Sequence, residues 1–149
     1  MPISECCNIN LACCEANASI PEVAALMRKH HVGDVIVIET QNEKRVPIGI
    51  VTDRDIVIET IALQLDTNVF TAGDIMTTPI VTVRENEGFT ETLHLMRDHK
   101  IRRMPVVTAA GTLFGIVTAD DIINLLAMEL SLMTGTMVEQ AHRERRLRK

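Results

Sequence analysis

The chain states one pattern twice, and that duplication limits the fold more than any other feature. Residues 48–57 read Ile-Gly-Ile-Val-Thr-Asp-Arg-Asp-Ile-Val, and residues 114–123 read Phe-Gly-Ile-Val-Thr-Ala-Asp-Asp-Ile-Ile. Each is a short β-branched run that contains a glycine and leaves through Thr-x-x-Asp. A strand therefore turns into a helix at an acid-bearing corner in both copies. Internal repeats settle the architecture before individual elements are read.

The duplication extends upstream without gaps. Glu22–Val32 matches Glu91–Ile101, and Val35-Ile-Val-Ile38 matches Met104-Pro-Val-Val107, at an offset of 69 residues. Past that point the offset drops to 66, so the first copy carries a connection three residues longer. That connection, Glu39–Arg45, is polar and reads as an exposed loop, and the second copy uses Thr108–Thr112 with a glycine. Each copy reads strand, helix, strand, strand, helix. Ile20, Val23, Ala24 and Met27 fall at helical spacing in the first helix, as do Phe89, Leu93 and Met96 in its counterpart. Ser19-x-x-Glu22 is a capping-box start. A single copy of about 60 residues buries too little surface to be comfortable alone. Two copies packed face to face bury enough, and clefts remain along their seam.

Apolar residues make up 46% of the 149, enough for a sizeable core. Aromatics are 2%, with no Trp or Tyr, so base-stacking platforms are essentially missing. A formal net charge of −5 also weighs against a nucleic-acid partner. Met1-Pro-Ile-Ser-Glu lacks the basic start and apolar stretch of a signal peptide, and no apolar run reads as membrane-spanning. The expectation is a soluble, cytoplasmic protein without a membrane partner.

The paired Gly-Ile-Val-Thr-x-x-Asp motifs, with Arg102-Arg-Met-Pro-Val-Val107, resemble tandem CBS domains, the cystathionine-β-synthase-type regulatory module also called a Bateman module. The resemblance covers residues 7–133, as domains 7–65 and 72–133, with a basic tail at 134–149. It implies an α/β (α+β) fold, a βαββα unit in each copy and a pseudo-two-fold pair. It further implies clefts for adenosine-containing ligands (AMP, ADP, ATP, S-adenosylmethionine or NAD), homodimers shaped as flat discs, and regulation without catalysis.

Thr-x-x-Asp suits a ribose, because a carboxylate at a helix start accepts hydrogen bonds from both vicinal hydroxyls while the helix dipole keeps it ionised. The same residues also suit plain helix capping, with Thr52 as N-cap and Asp55 at the third helical position. Carried over from the family, a first cleft joins Ile50, Thr52, Arg54 and Asp55 to Thr78, Val81, Arg102, Arg103, Met104 and Pro105 of the other copy. Asp55 is then expected to hold the ribose, Val81, Ile50 and Pro105 the adenine, and the three arginines the phosphates. A second cleft joins Thr118 and Asp121 to Ala12, Val32, Gly33 and Asp34. There Asp34 stands where the first cleft has Arg103, Ile36 replaces Pro105, and Asn8-Ile-Asn10 replaces Thr77-Thr-Pro79. An acid beside a phosphate is unfavourable, so the first cleft is expected to bind better.

Cys6, Cys7, Cys13 and Cys14 crowd one end. Neighbours on a strand point to opposite faces and the spacing departs from usual zinc patterns, so the expectation is small buried residues, with Cys6 and Cys7 exposed before the first strand. A thiol switch or metal site is the alternative. His30 and His99, late in equivalent helices, suit a helix C-terminus without any metal. The last helix, Ile122–Met133, has more apolar surface than one face needs, which points to a partner subunit. Beyond it, Met137–Lys149 carries Arg143, Arg145, Arg146, Arg148 and Lys149, read as a solvated, frayed end, with a contact for an acidic partner, nucleic acid or a membrane surface as the alternative. The function expected is an adenine-nucleotide sensor in signal transduction acting on an unnamed protein partner. A ligand-independent dimerisation scaffold is the rival.

Overall fold

The computed structural model describes residues 1–147, so Arg148 and Lys149 of the basic tail lie outside the described residues. Each repeat folds as expected into a three-stranded sheet with helices. In the first, β1 (Cys13–Glu15), α1 (Ile20–His30), β2 (Asp34–Gln41), β3 (Lys44–Thr52) and α2 (Asp53–Ile56, continued by a π turn Val57–Ile61) follow in order. A short helix, α3 (Ala72–Ile75), leads into the second repeat, which has β4 (Val83–Arg84), α4 (Phe89–His99), β5 (Arg103–Val107), β6 (Leu113–Thr118) and α5 (Ala119–Leu147). In both sheets the middle strand pairs parallel with the first and antiparallel with the third.

Alternation along β2 explains how one strand serves two cores. Val35 and Val37 join Val23, Met27 and Ile56 in the first repeat's core, whereas Ile36 and Ile38 face the seam and meet Leu113 and Ile116 of the other repeat. On α1, Ile20, Val23 and Met27 are buried as the spacing predicts, and Ser19 and Glu22 form the capping box. Ala24, however, is exposed, and Leu26 packs instead, because the buried arc is centred one residue away.

The connection between the repeats holds the main surprise. Ile3, in a 3₁₀ turn at the start of the chain, is fully buried in the second repeat's core beside Val83, Met96, Met104 and Ile122. Ala72, its equivalent 69 residues on, is fully buried in the first repeat's core. The backbone bonds match one for one. Ile3 N–H donates to Glu87 O and Ala72 N–H to Ala18 O, each at 2.8 Å, while Ser4 donates to Glu85 and Gly73 to Ala16. Each repeat thus finishes the other's core with its lead-in segment. Cys6 and Cys7 accompany Ile3 and are half-buried against the second core, so the expectation of exposure fails for them. Gly115 is needed where this segment crosses: a Cβ there would lie 2.7 Å from Cys7 Sγ and 3.0 Å from Asn8 O.

Two boundaries also differ from expectation. The Glu39–Arg45 loop is mostly strand, closed by a two-residue turn in which Asn42 and Glu43 take φ of 50° and 64°, as a tight hairpin requires. The last helix does not stop at Met133 but continues to Leu147, so the described part of the tail is helical. No proline interrupts it, and Thr134 and Thr136 hydroxyls donate back to the Ser131 and Leu132 carbonyls. This helix is long and apolar enough, by length and composition, to cross a membrane, with a mean hydropathy of 1.3 over its best window. The sequence reading of no such run is therefore corrected. Past Ile122 its apolar side chains are largely exposed, including Ile123, Leu126, Leu130, Met133 and Met137.

Because Ile3 is a core residue of the distant repeat, Ile3→Ala should lower unfolding free energy by about 2–5 kcal/mol. Urea denaturation followed by circular dichroism checks this, and a loss below about 0.5 kcal/mol would place Ile3 outside the core.

Candidate functional site

Both Thr-x-x-Asp corners are capping boxes. Asp55 Oδ2 accepts from the Thr52 backbone N–H at 2.8 Å, and Thr52 Oγ1 accepts from the Asp55 N–H at 3.1 Å. Asp121 Oδ2 likewise accepts from the Thr118 N–H and hydroxyl, at 3.1 and 2.7 Å. The cap occupies one carboxylate oxygen in each case. Among the described residues, Oδ1 of Asp55 and Oδ1 of Asp121 take no hydrogen bond, so capping leaves an oxygen for a further partner. The two readings of the motif are compatible.

Between the repeats lies a cleft of about 630 Å³, large enough for a nucleotide. It brings together Ile50, Thr52, Arg54 and Asp55 from the first repeat with Arg102 and Arg103 from the second. Thr78, Val81, Met104 and Pro105 do not line it. Thr78 is exposed, Val81 packs against the second core, and the Met104 side chain is fully buried there because β5 alternation turns it away from the seam. Pro105 is buried opposite Ile116. The neighbouring Thr77 takes the expected place of Thr78, bonded from its N–H to Ile50 O at 2.9 Å.

Sequence reasoning missed Asp53, Lys100, Ile101 and Asp120 in this wall. Lys100, in a left-handed cap after α4, had one available signal, its place just before the Arg102-Arg103 run. Asp34 and Thr118, assigned to the second cleft, line both. That second cleft has a narrow inner part of about 100 Å³, formed by Asn8, Ala12, Val32, Asp34, Thr118 and Asp121 among others. Its open outer part of about 650 Å³ shares Asn8, Asn10, Leu11 and Val32 and adds Lys29 and His30. Gly33 contributes its carbonyl rather than a wall. A third depression of about 560 Å³ over α1 draws on Asn17, Ala18, Glu22, Ala25, Leu26 and Lys29, all from one repeat, and lacks converging groups.

The arginines are not all free. Arg102 lies 3.1 Å from Asp120, an exposed pair of small energetic weight. Arg103 Nε lies 3.2 Å from Asp34 Oδ2, and its Nη1 donates to Gly33 O at 3.1 Å. Burial pushes the Asp34 carboxyl up, against the pull of Arg103, with Asp53 and Asp121 adding to the rise. Arg54 has no carboxylate partner among the described residues. The cleft therefore offers an acid with one unused oxygen, a free guanidinium, and an ammonium at Lys100.

Comparison with known proteins agrees with this architecture. The family model of the CBS domain matches residues 3–60 and 72–128. An uncharacterized protein of Methanopyrus kandleri is 42% identical over 70% of this chain, which spans about half (52%) of that relative's length. Hypoxic response protein 1 of Mycobacterium tuberculosis is 35% identical over 77% of this chain and 78% of its own. Among solved structures, a CBS domain protein of Pyrobaculum aerophilum complexed with AMP superposes with a TM-score of 0.76, at 30% identity, covering 90% of this chain and 99% of that one. A CBS domain pair in complex with 5′-methylthioadenosine and S-adenosyl-L-methionine gives 0.73 at 26%, covering 87% and 98%.

The cysteines have a different character. Burial raises all four thiols, and Cys14 is pushed up to about 11, with Cys13 and Glu22 adding to it. Among the described residues no three His, Cys, Asp or Glu side chains converge as a metal set. At pH 8 a thiol with a pKa near 11 is thiolate for only about one part in a thousand. Iodoacetamide should therefore label Cys14 at least about tenfold more slowly in the folded protein than in urea, and faster as pH rises. Peptide mass spectrometry measures this, and equal rates would contradict the assigned burial.

Proposed function

The chain belongs to the CBS-domain family, and from that premise we propose that it is a regulatory sensor that binds an adenine nucleotide of the AMP, ADP or ATP type between its two repeats. It acts in signal transduction without catalysis of its own. One observation carries this reading: Asp55 stands in the inter-repeat cleft with its cap on one oxygen and the other oxygen unused. A ribose diol fits that oxygen, and Arg54 and Lys100 supply charge for a phosphate. The adenosine ligands held by the Pyrobaculum protein and by the methylthioadenosine-bound pair support the ligand class. S-adenosylmethionine and NAD belong to the same class, so a ligand panel distinguishes them.

Asp55→Ala should weaken AMP binding by at least about tenfold in calorimetry. Asp121→Ala is the control, because it removes the same kind of cap from α5 beside the second cleft, where Asp34 holds the position that Arg103 holds in the first. Both substitutions should cost about 1 kcal/mol of stability, and Asp55→Ala alone should affect AMP. Undiminished affinity in Asp55→Ala would defeat the site assignment.

Transmission requires a partner surface. Val57, Ile58 and Ile61 beside α2, and Ile123, Leu126, Leu130 and Met133 on α5, are exposed apolar side chains on the second helices of both repeats. We read them as a homodimer contact through which occupancy reaches the regulated protein. This surface also suits the rival, a scaffold that dimerises without ligand, and nucleotide-dependent melting separates the two. Leu130→Glu should shift the protein from dimer to monomer in sedimentation while leaving its circular dichroism unchanged. A monomeric unaltered chain would refute the contact.

A further inference from the structure

Asp34 and Arg103 are equivalent positions of the two repeats, 69 residues apart, and each opens the middle strand of its sheet. Their contact at 3.2 Å puts the pseudo-two-fold axis close between them. Like charges at both positions would repel across it, so only a divergent pair makes a bond there. The side chains are 15% and 34% exposed, which lifts the pair above an ordinary surface bridge. Both groups line the larger cleft, and Asp34 lines the smaller one as well.

The carboxylate thus occupies the arginine that a phosphate in this cleft would recruit. Asp53 and Asp121 lie close enough to disfavour the Asp34 charge, so drawing Arg103 away leaves Asp34 among like charges. Arg54 and Lys100, by contrast, are available without displacing any carboxylate.

We propose that Asp34 is a built-in competitor for the ligand's phosphate and sets how strongly the cleft prefers a phosphorylated adenosine to a neutral or cationic one. The inference rests on the reading that the cleft binds adenosine ligands. In this arrangement an anionic ligand meets an Arg103 whose Nε is already held and whose charge is already offset by Asp34, so it gains less from that guanidinium than from an unpaired one. A ligand that lacks a phosphate leaves the pair intact.

The test titrates AMP, adenosine and pyrophosphate against the unaltered chain, Asp34→Asn, Arg103→Ala and the double variant. Asp34→Asn should raise the preference for AMP over adenosine by about tenfold and tighten pyrophosphate in the same sense. Arg103→Ala should remove that gain in the double variant. Asp34→Ala, which leaves no amide to bond Arg103, should shift the preference the same way. An unchanged preference in both Asp34 variants, or a gain that persists without Arg103, overturns the proposal. If the unaltered chain binds neither AMP nor adenosine, the adenosine reading falls on its own, and pyrophosphate decides the competition. Tighter pyrophosphate in Asp34→Asn, dependent on Arg103, then supports it; no change, or no binding to any variant, overturns it.

Discussion

The reciprocal exchange of lead-in segments is the constraint on which the remaining structure depends. Neither repeat owns a complete core, since Ile3 closes the second and Ala72 closes the first. Full burial of an isoleucine is worth about 2–3 kcal/mol, a large fraction of the net stability of a small domain. The paired backbone bonds from Ile3 to Glu87 and from Ala72 to Ala18 hold both crossings in register. Separation of the repeats therefore exposes two cores as well as one seam. The relative placement of the two Thr-x-x-Asp corners follows from that.

Each crossing also shapes a cleft. Thr77 and Asn8, equivalent in the two repeats, end their lead-in segments by pairing with Ile50 and Ile116 of the opposite repeat. The pseudo-two-fold makes the two clefts alike in plan, and side chains make them unlike in shape. The first is one hollow of about 630 Å³, and the second is a narrow part of about 100 Å³ beside an open part of about 650 Å³. Near the axis the symmetry brings equivalent positions into contact, which is why a single divergence, Asp34 against Arg103, touches both clefts at once.

Much of the fold was legible because periodicity survives folding. The βαββα order, the capping box at Ser19 and most of the buried faces of α1 and α4 followed from spacing, though Ala24 is exposed and Thr92 is buried where the spacing did not place them. The corner motifs were legible too: Asp55 caps α2 through one oxygen and lines the cleft between the repeats. Three features were not legible. The burial of Ile3 depends on a partner more than 80 positions away, with no local signal. The continuation of α5 beyond Met133 runs through Thr134, Gly135 and Thr136, residues of low helix propensity that read locally as an end. The Met104 side chain faces the core because strand alternation is counted from a register that only pairing sets.

The amino-acid order by itself determined the duplication, the element sequence within each copy, and the chemistry available at the two corners, because these rest on local spacing. Tertiary structure alone decided which acid meets which arginine. Arg102 and Arg103 read alike as phosphate ligands in the chain, yet one meets Asp120 at the surface and the other meets Asp34 at the axis. The physical reason is distance: charge pairing acts over a few ångströms, and only the packing of two repeats brings positions 69 residues apart within that range.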